Sequence, residues 1–141
     1  MKQDLRRHKK IIKALLKKEQ IKVIGRRLTD VGTAWIDTRE VVIPYITDIG
    51  KFLVCIHEIG HIINGWNYGK MSIHRCEFLT EKWTIRQAKR YKIDKKFPKE
   101  YRRYIIGAKR YVVHCCVSKG KDIPQYIMKW AKSKPSIEDE L

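Results

Sequence analysis

Residues 47–65, TDIGKFLVCIHEIGHIING, are the stretch that decides the fold. Thr47 or Asp48 can cap a helix here, because an oxygen on either side chain can accept a hydrogen bond from the first helical turn. Gly65 can end the helix, since glycine tolerates the left-handed backbone common at this position. Between these signals the apolar residues recur at helical spacing. They predict one buried back face made of Phe52, Cys55, Ile56, Ile59, Ile62 and Ile63.

The opposite face of this helix carries the motif HExxH, written here as His57-Glu58-Ile59-Gly60-His61. Residues four apart on a helix lie about 40° apart around its axis, so both imidazoles can reach one metal ion. Glu58 falls on the flank of this face, where a carboxylate can accept a proton from a metal-activated water without being a ligand. The motif predicts a zinc centre with Glu58 as its catalytic base; the alternative is two histidines that share a surface helix by chance.

A catalytic zinc centre also needs a third protein ligand and an open fourth position. The metzincin continuation HExxHxxGxxH is excluded, because Asn64 and Asn67 stand at the required positions. Glu77 is the candidate third ligand. Glu81, one helical turn later, is expected to fix a ligand histidine from behind. Two alternatives stay open: a solvated pair of surface acids, or His74 as a rival ligand.

The motif and the segment Glu77-Phe78-Leu79-Thr80-Glu81-Lys82-Trp83-Thr84 together resemble the gluzincin pattern HExxH…ExxA(D/E)x(F/W)A. This pattern occurs in zinc metallopeptidases of the minigluzincin type and in the ImmA/IrrE-type peptidases of phages and mobile elements. The similarity covers residues 31–90, and two threonines stand where that pattern has alanines. The resemblance implies that His57, His61 and Glu77 are the zinc ligands and that Glu58 is the general base. It also implies that Glu81 is the second acidic residue of the pattern.

Upstream of the motif, the pattern predicts an amphipathic helix over residues 3–19 and strands over residues 21–24, 31–37 and 40–46. The last two strands are expected to form a hairpin. Pro44 cannot donate a hydrogen bond to a sheet, so the third strand is predicted to be an edge strand. The resemblance to gluzincins implies that this edge binds an extended peptide by strand addition.

Downstream, helices are predicted over residues 73–91, 98–120 and 122–132, with a loop over residues 95–99. The fold class is therefore α+β. We expect a compact zincin-like domain with an N-terminal helix, a small three-stranded sheet with an edge strand, the HExxH helix, the Glu-bearing helix and C-terminal helices. One metallopeptidase domain over residues 1–134 is expected to be followed by a flexible acidic tail over residues 135–141.

A peptidase needs a hydrogen-bond donor for the oxyanion that forms at the attacked carbonyl. The helix predicted from residue 98 offers Tyr104, Tyr111 and His114, of which Tyr111 and His114 are the named candidates. The alternative is that these side chains only pack on that helix.

The charge is uneven: the net charge is +17, yet residues 21–81 carry seven basic and seven acidic side chains. Residues 82–121 carry fourteen basic and two acidic side chains. Such a block is typical of proteins that contact nucleic-acid phosphates, and it would also attract an acidic protein substrate. The candidate nucleic-acid residues are Lys89, Arg90, Lys92, Lys95, Lys96, Arg102 and Arg103.

The leading functional prediction is a metalloendopeptidase that uses Zn²⁺ to hydrolyse a peptide or protein substrate. The alternative is a nucleic-acid-binding protein, or a DNA-associated protease functionally like the SprT-like group, whose zinc is structural or secondary. No apolar run is long enough to span a membrane, and the charged N-terminus is unlike a secretory signal. A cytoplasmic location is expected, with the four cysteines as buried thiols because they show no CxxC spacing.

Overall fold

The computed structural model of the protein describes residues 4–66 and 70–133. Its chain divides into two compact units, of which the first ends at Gly65 and the second begins at Trp66. The predicted acidic tail over residues 135–141 lies outside the described residues. The single domain expected over residues 1–134 stays a prediction.

The first unit contains two helices and three strands: α1 (Arg6–Lys18), β1 (Lys22–Arg27), β2 (Thr33–Trp35), β3 (Glu40–Pro44) and α2 (Ile49–Asn64). The predicted N-terminal helix and all three predicted strands are confirmed, with shifted ends. β1 continues past its predicted end through Gly25, and its register shifts between Val23 and Gly25. α1 packs on α2, where the ring of His8 lies edge-on to Phe52 at a centroid distance of 4.9 Å.

The three strands form one mixed sheet in the order β1-β3-β2, with β1 parallel and β2 antiparallel to β3. The prediction of an edge strand at residues 40–46 was therefore wrong, because β3 is the central strand. Pro44 is tolerated because the pairing with β2 ends earlier, at Thr33 opposite Val42. On the other side, the N–H of Tyr45 donates to the carbonyl of Arg27 at 2.9 Å.

Helix α2 begins and ends as predicted. The side chain of Asp48 caps it by accepting a hydrogen bond from the Lys51 N–H at 2.9 Å. Gly65 ends it with a left-handed φ of 55°, and its N–H donates to the His61 carbonyl. α2 packs on β2, β3 and α1. Of the residues predicted for this face, Ile63 is half-buried and the others are buried: Phe52, Cys55, Ile56, Ile59 and Ile62.

The second unit is helical: α3 (Ile73–Arg90), α4 (Ile93–Lys96), α5 (Pro98–Val117) and α6 (Gln125–Lys132). α4 occupies part of the predicted loop over residues 95–99 and was missed, because a single helical turn has no detectable apolar period. α5 packs on α3, α4 and α6. The ring of Phe78 lies edge-on to those of Tyr126 and Trp130, at centroid distances of 5.0 and 5.1 Å.

The predicted α+β class is confirmed, with six helices and one three-stranded mixed sheet over the described parts of the chain. Within residues 4–66 and 70–133, every helix is too short or too polar to cross a lipid bilayer.

Candidate metal centre

His57 and His61 lie one turn apart on α2 and direct the same ring atom, Nε2, towards each other at 3.1 Å. Their rings stand nearly perpendicular, at 88°, with centroids 4.7 Å apart. Two nitrogens bound to a tetrahedral zinc ion at about 2.0–2.1 Å stand about 3.3 Å apart. The observed spacing is close to this value, and it also permits a hydrogen bond between the rings when one of them carries the Nε2 proton.

Glu58 lies beside the histidine pair and is only 7% exposed. Its Oε1 is 3.8 Å from Nε2 of His57, so the carboxylate stands next to a predicted ligand atom. It is not a member of the group of residues that could hold a metal ion. This placement matches a carboxylate that serves a metal-activated water and does not bind the metal.

Gly32, just before β2, is a residue of this site that sequence reasoning missed. A Cβ built on Gly32 would lie 2.6 Å from Cγ of Glu58 and 3.0 Å from the carbonyl oxygen of Val42. Real Cβ atoms do not approach other atoms so closely, so any side chain at position 32 would displace Glu58. The only signal in the sequence was a glycine at the start of a strand, which often marks a close approach of backbone.

Glu77 lies in the second turn of α3 and is half-buried, with its Oε2 shielded from solvent. One ligand atom from each of His57, His61 and Glu77 lies within 4.8 Å of the others, close enough for the three to hold one metal ion. Two imidazoles and one carboxylate are the ligand set of catalytic zinc centres that keep a fourth position for water. These residues therefore fit Zn²⁺.

His74, the rival ligand, does not belong to that group among the described residues. Its Nε2 lies 3.2 Å from the hydroxyl of Ser72, at the start of α3. Burial, followed by the positive charge of Lys121, lowers the pKa of His74, so its ring is neutral at pH 7. We interpret His74 as a residue of the helix start.

Glu81 is not a solvated surface acid, because only 4% of it is exposed. The hydroxyl of Tyr104 on α5 donates a hydrogen bond of 2.6 Å to its Oε1. The Tyr104 hydroxyl therefore donates its hydrogen bond to this carboxylate. The sequence did not predict this contact. The role of Glu81 in fixing a ligand histidine stays a prediction.

The two named candidates for the oxyanion donor lie on the exposed side of α5. Tyr111 is 46% exposed. His114 is exposed as well. Their assignment as oxyanion donors stays a prediction.

The four cysteines are buried and free of disulfides, as expected. Burial raises the pKa of the Cys55 thiol to about 12, so it stays protonated at neutral pH. Burial is also the main cause of the raised pKa of the other three thiols, Cys76, Cys115 and Cys116. A protonated thiol is a poor nucleophile and a poor metal ligand, so these side chains are interpreted as packing residues.

Comparisons of the chain with protein-family models, with curated proteins and with solved structures find no match. The likeness to gluzincins therefore rests on the residues of the motif and on Glu77 with its neighbours.

Proposed function

We propose that the protein is a zinc metalloendopeptidase of the gluzincin type, in which His57, His61 and Glu77 hold Zn²⁺ and Glu58 is the general base. The observation that carries the proposal is the convergence of three ligand atoms within 4.8 Å of one another. The placement of Glu58 at 3.8 Å from the His57 Nε2 supports it. The resemblance of the motif residues to gluzincins is the second support.

The bound ion would act as a Lewis acid and lower the pKa of a water molecule. Glu58 would accept a proton from the attacking water on its carboxylate and later deliver that proton to the nitrogen of the leaving amine. Its low exposure, 7%, limits competition from bulk water for the carboxylate. His57 and His61 must be neutral to present the Nε2 lone pair, so the proton of each ring belongs on Nδ1.

The substrate would be an extended peptide that adds to β2, because β2 and not β3 is an edge of the sheet. Gly32 precedes Thr33, the first residue of β2, and lies against Glu58, so a peptide along this edge would pass the general base. The net charge of +17 favours acidic protein substrates, and we place the enzyme in the cytoplasm.

The experiment compares metal content and cleavage of fluorescently labelled casein for the wild type, two site variants and one control variant. The wild type should contain one zinc per chain by mass spectrometry of the metal. Glu58→Gln should keep that zinc and lose about 10²–10⁴-fold in cleavage rate, because it removes only the general base. Glu77→Ala should lose zinc, whereas the control Glu100→Ala on α5 should keep both zinc and cleavage.

Three results would contradict the proposal in different places. A wild type without zinc after expression in zinc-supplied medium would contradict the proposed metal centre. Full zinc occupancy in Glu77→Ala would contradict the assignment of Glu77 as the third ligand. Undiminished cleavage in Glu58→Gln would contradict the assignment of Glu58 as the general base.

The alternative of a structural zinc closed by a fourth residue gains no support from His74. Its Nε2 faces Ser72, and it stands outside the candidate ligand group. His74→Ala should therefore leave the zinc content unchanged.

A further inference from the structure

Eight cationic side chains lie at the end of α3, at and within α4, and in the first turns of α5. None of them belongs to the candidate metal centre. We call this set the basic turn; all of its members are exposed. Residues 89–103 hold these eight basic side chains and only two acidic ones. α4 packs on both α3 and α5, so the three segments are neighbours within the second unit. The members are Lys89, Arg90, Lys92, Lys95, Lys96, Lys99, Arg102 and Arg103.

Local helix stability accounts for only part of this set: Lys89 and Arg90 lie in the last turn of α3, and Lys95 and Lys96 in that of α4, where the helix dipole favours cations. Lys99 lies in the first turn of α5, where the positive end of the helix dipole favours an acid and disfavours a lysine. Lys92 has a left-handed backbone with φ of 61°, a conformation that favours glycine or asparagine. At these two positions the local backbone does not favour a lysine, so helix stability does not account for the whole set.

The chemistry of the surface favours a polyanion over a lipid membrane. Membrane-surface helices combine cations with exposed tryptophan, phenylalanine or leucine that enter the lipid. None of residues 89–103, all of which the structure describes, is an exposed large apolar side chain. Ile106, about one turn after Arg102 and Arg103 on α5, is 46% exposed, but a single aliphatic side chain is a weak membrane anchor.

The aromatic residues beside these cations also distinguish between nucleic acids. Binding of single strands depends on exposed aromatic rings on which bases stack. Here Tyr101 is buried, Tyr91 and Phe97 are half-buried, and the hydroxyl of Tyr104 is bonded to Glu81. Duplex DNA instead presents about one phosphate charge per 1.7 Å, and cations alone can match it.

We propose that the basic turn binds the phosphate backbone of duplex DNA without reading its base sequence. The contacts are ion pairs between lysine or arginine side chains and phosphate oxygens, and their formation releases counterions from the duplex. This binding needs neither zinc nor Glu58, so it stands or falls separately from peptidase activity.

The test compares two quadruple variants of the full chain that remove the same types and number of charges. Lys95→Gln, Lys96→Gln, Lys99→Gln and Arg102→Gln change the basic turn. The matched control changes exposed residues of α1 in the first unit: Arg7→Gln, Lys9→Gln, Lys10→Gln and Lys13→Gln. Gln has nearly the helix propensity of Lys and Arg, and circular dichroism would verify that both variants fold.

Binding to a labelled 25-base-pair duplex would be measured by fluorescence anisotropy from low to physiological salt. The slope of log K against log salt is negative, and each lost phosphate contact reduces its magnitude by about 0.9, so the slope of the basic-turn variant should be less negative by about 3–4. The affinity of the basic-turn variant for the duplex at low salt should fall by about tenfold or more. The α1 variant should keep most of the wild-type affinity and most of the wild-type salt dependence. The wild type should not prefer a single strand, and should bind the duplex better than vesicles of phosphatidylserine.

Four results would overturn the proposal. These are no binding to the duplex at low salt, an equal loss in the α1 variant, tighter binding to a single strand, or tighter binding to the vesicles. An equal loss in both variants would mean that total charge and not the basic turn attracts DNA. Tighter binding to vesicles would assign the surface to a membrane.

Discussion

Helices α2 and α3 both supply candidate metal ligands, but their chemistry is specified in different ways. α2 carries two candidate ligands and the proposed general base within five consecutive residues, and its own sequence marks both ends through Asp48 and Gly65. α3 supplies Glu77 alone, and Ser72 at its start makes no side-chain capping bond. Its second acid, Glu81, is held by Tyr104 from another helix. A short motif can thus specify a pair of ligands, whereas a third ligand depends on tertiary packing.

The prediction with the largest expected effect asks whether the position of Glu58 on α2 depends on the neighbouring Gly32. Gly32→Ala should lower kcat by about a hundredfold, because an added Cβ displaces Glu58 and a misplacement of about 1 Å has effects of this size. The zinc content should not change, since neither histidine is touched. Kinetics with labelled casein, with kcat and KM separated, would measure this.

The matched control for that substitution is Gly107→Ala on α5, where an added Cβ meets no atom within 4 Å. It should keep full activity and raise the free energy of unfolding by about 0.5–1 kcal/mol, because alanine favours helix more than glycine does. Unchanged kcat in Gly32→Ala would show that Glu58 does not depend on this close approach.

The second prediction concerns the acid of α3 that is held by another helix. Tyr104→Phe removes the 2.6 Å hydrogen bond to Glu81, which is 4% exposed. Hydrogen bonds to charged groups contribute about 1.5–3 kcal/mol, so the free energy of unfolding should fall by that amount in urea titrations. Tyr126→Phe, at a ring that is 42% exposed, should change it by less than about 0.5 kcal/mol. Equal effects from the two substitutions would mean that the bond to Glu81 contributes nothing particular.

The smallest expected effect compares the starts of the two helices directly. Asp48→Ala should cost about 1 kcal/mol, because it removes the bond to the Lys51 N–H. Ser72→Ala should cost well below that, since Ser72 makes no capping bond. Thermal unfolding of both variants in the same buffer would measure the difference. A larger loss in Ser72→Ala would reverse the comparison.

The parts of the fold predicted from sequence are those with local signals. The helix of the motif, with its cap, its stop and its buried face, was predicted nearly residue by residue, because each signal lies in the same 19-residue stretch. The hairpin was predicted from two β-rich segments close in sequence. The α+β class followed from the order of these elements.

The features missed depend on contacts between distant residues. Pro44 predicted an edge strand, but β3 is central because it also pairs in parallel with β1. The local sequence pattern contains no information about that pairing. The close approach of Gly32 to Glu58 and the bond of Tyr104 to Glu81 join residues 26 and 23 positions apart. A glycine before a strand hints at a close approach, but a single sequence does not show which residue is its partner.

The central position of β3 also bears on the order in which the sheet assembles. Pairs in the hairpin, such as Trp35 with Glu40, are a few residues apart in the chain, whereas Lys22 and Glu40 are 18 apart. Closing the longer loop costs more chain entropy, by about 0.6 kcal/mol for each doubling of length. We therefore expect β2 to pair with β3 before β1 does, so that β1, the first strand in the chain, is the last to join the sheet.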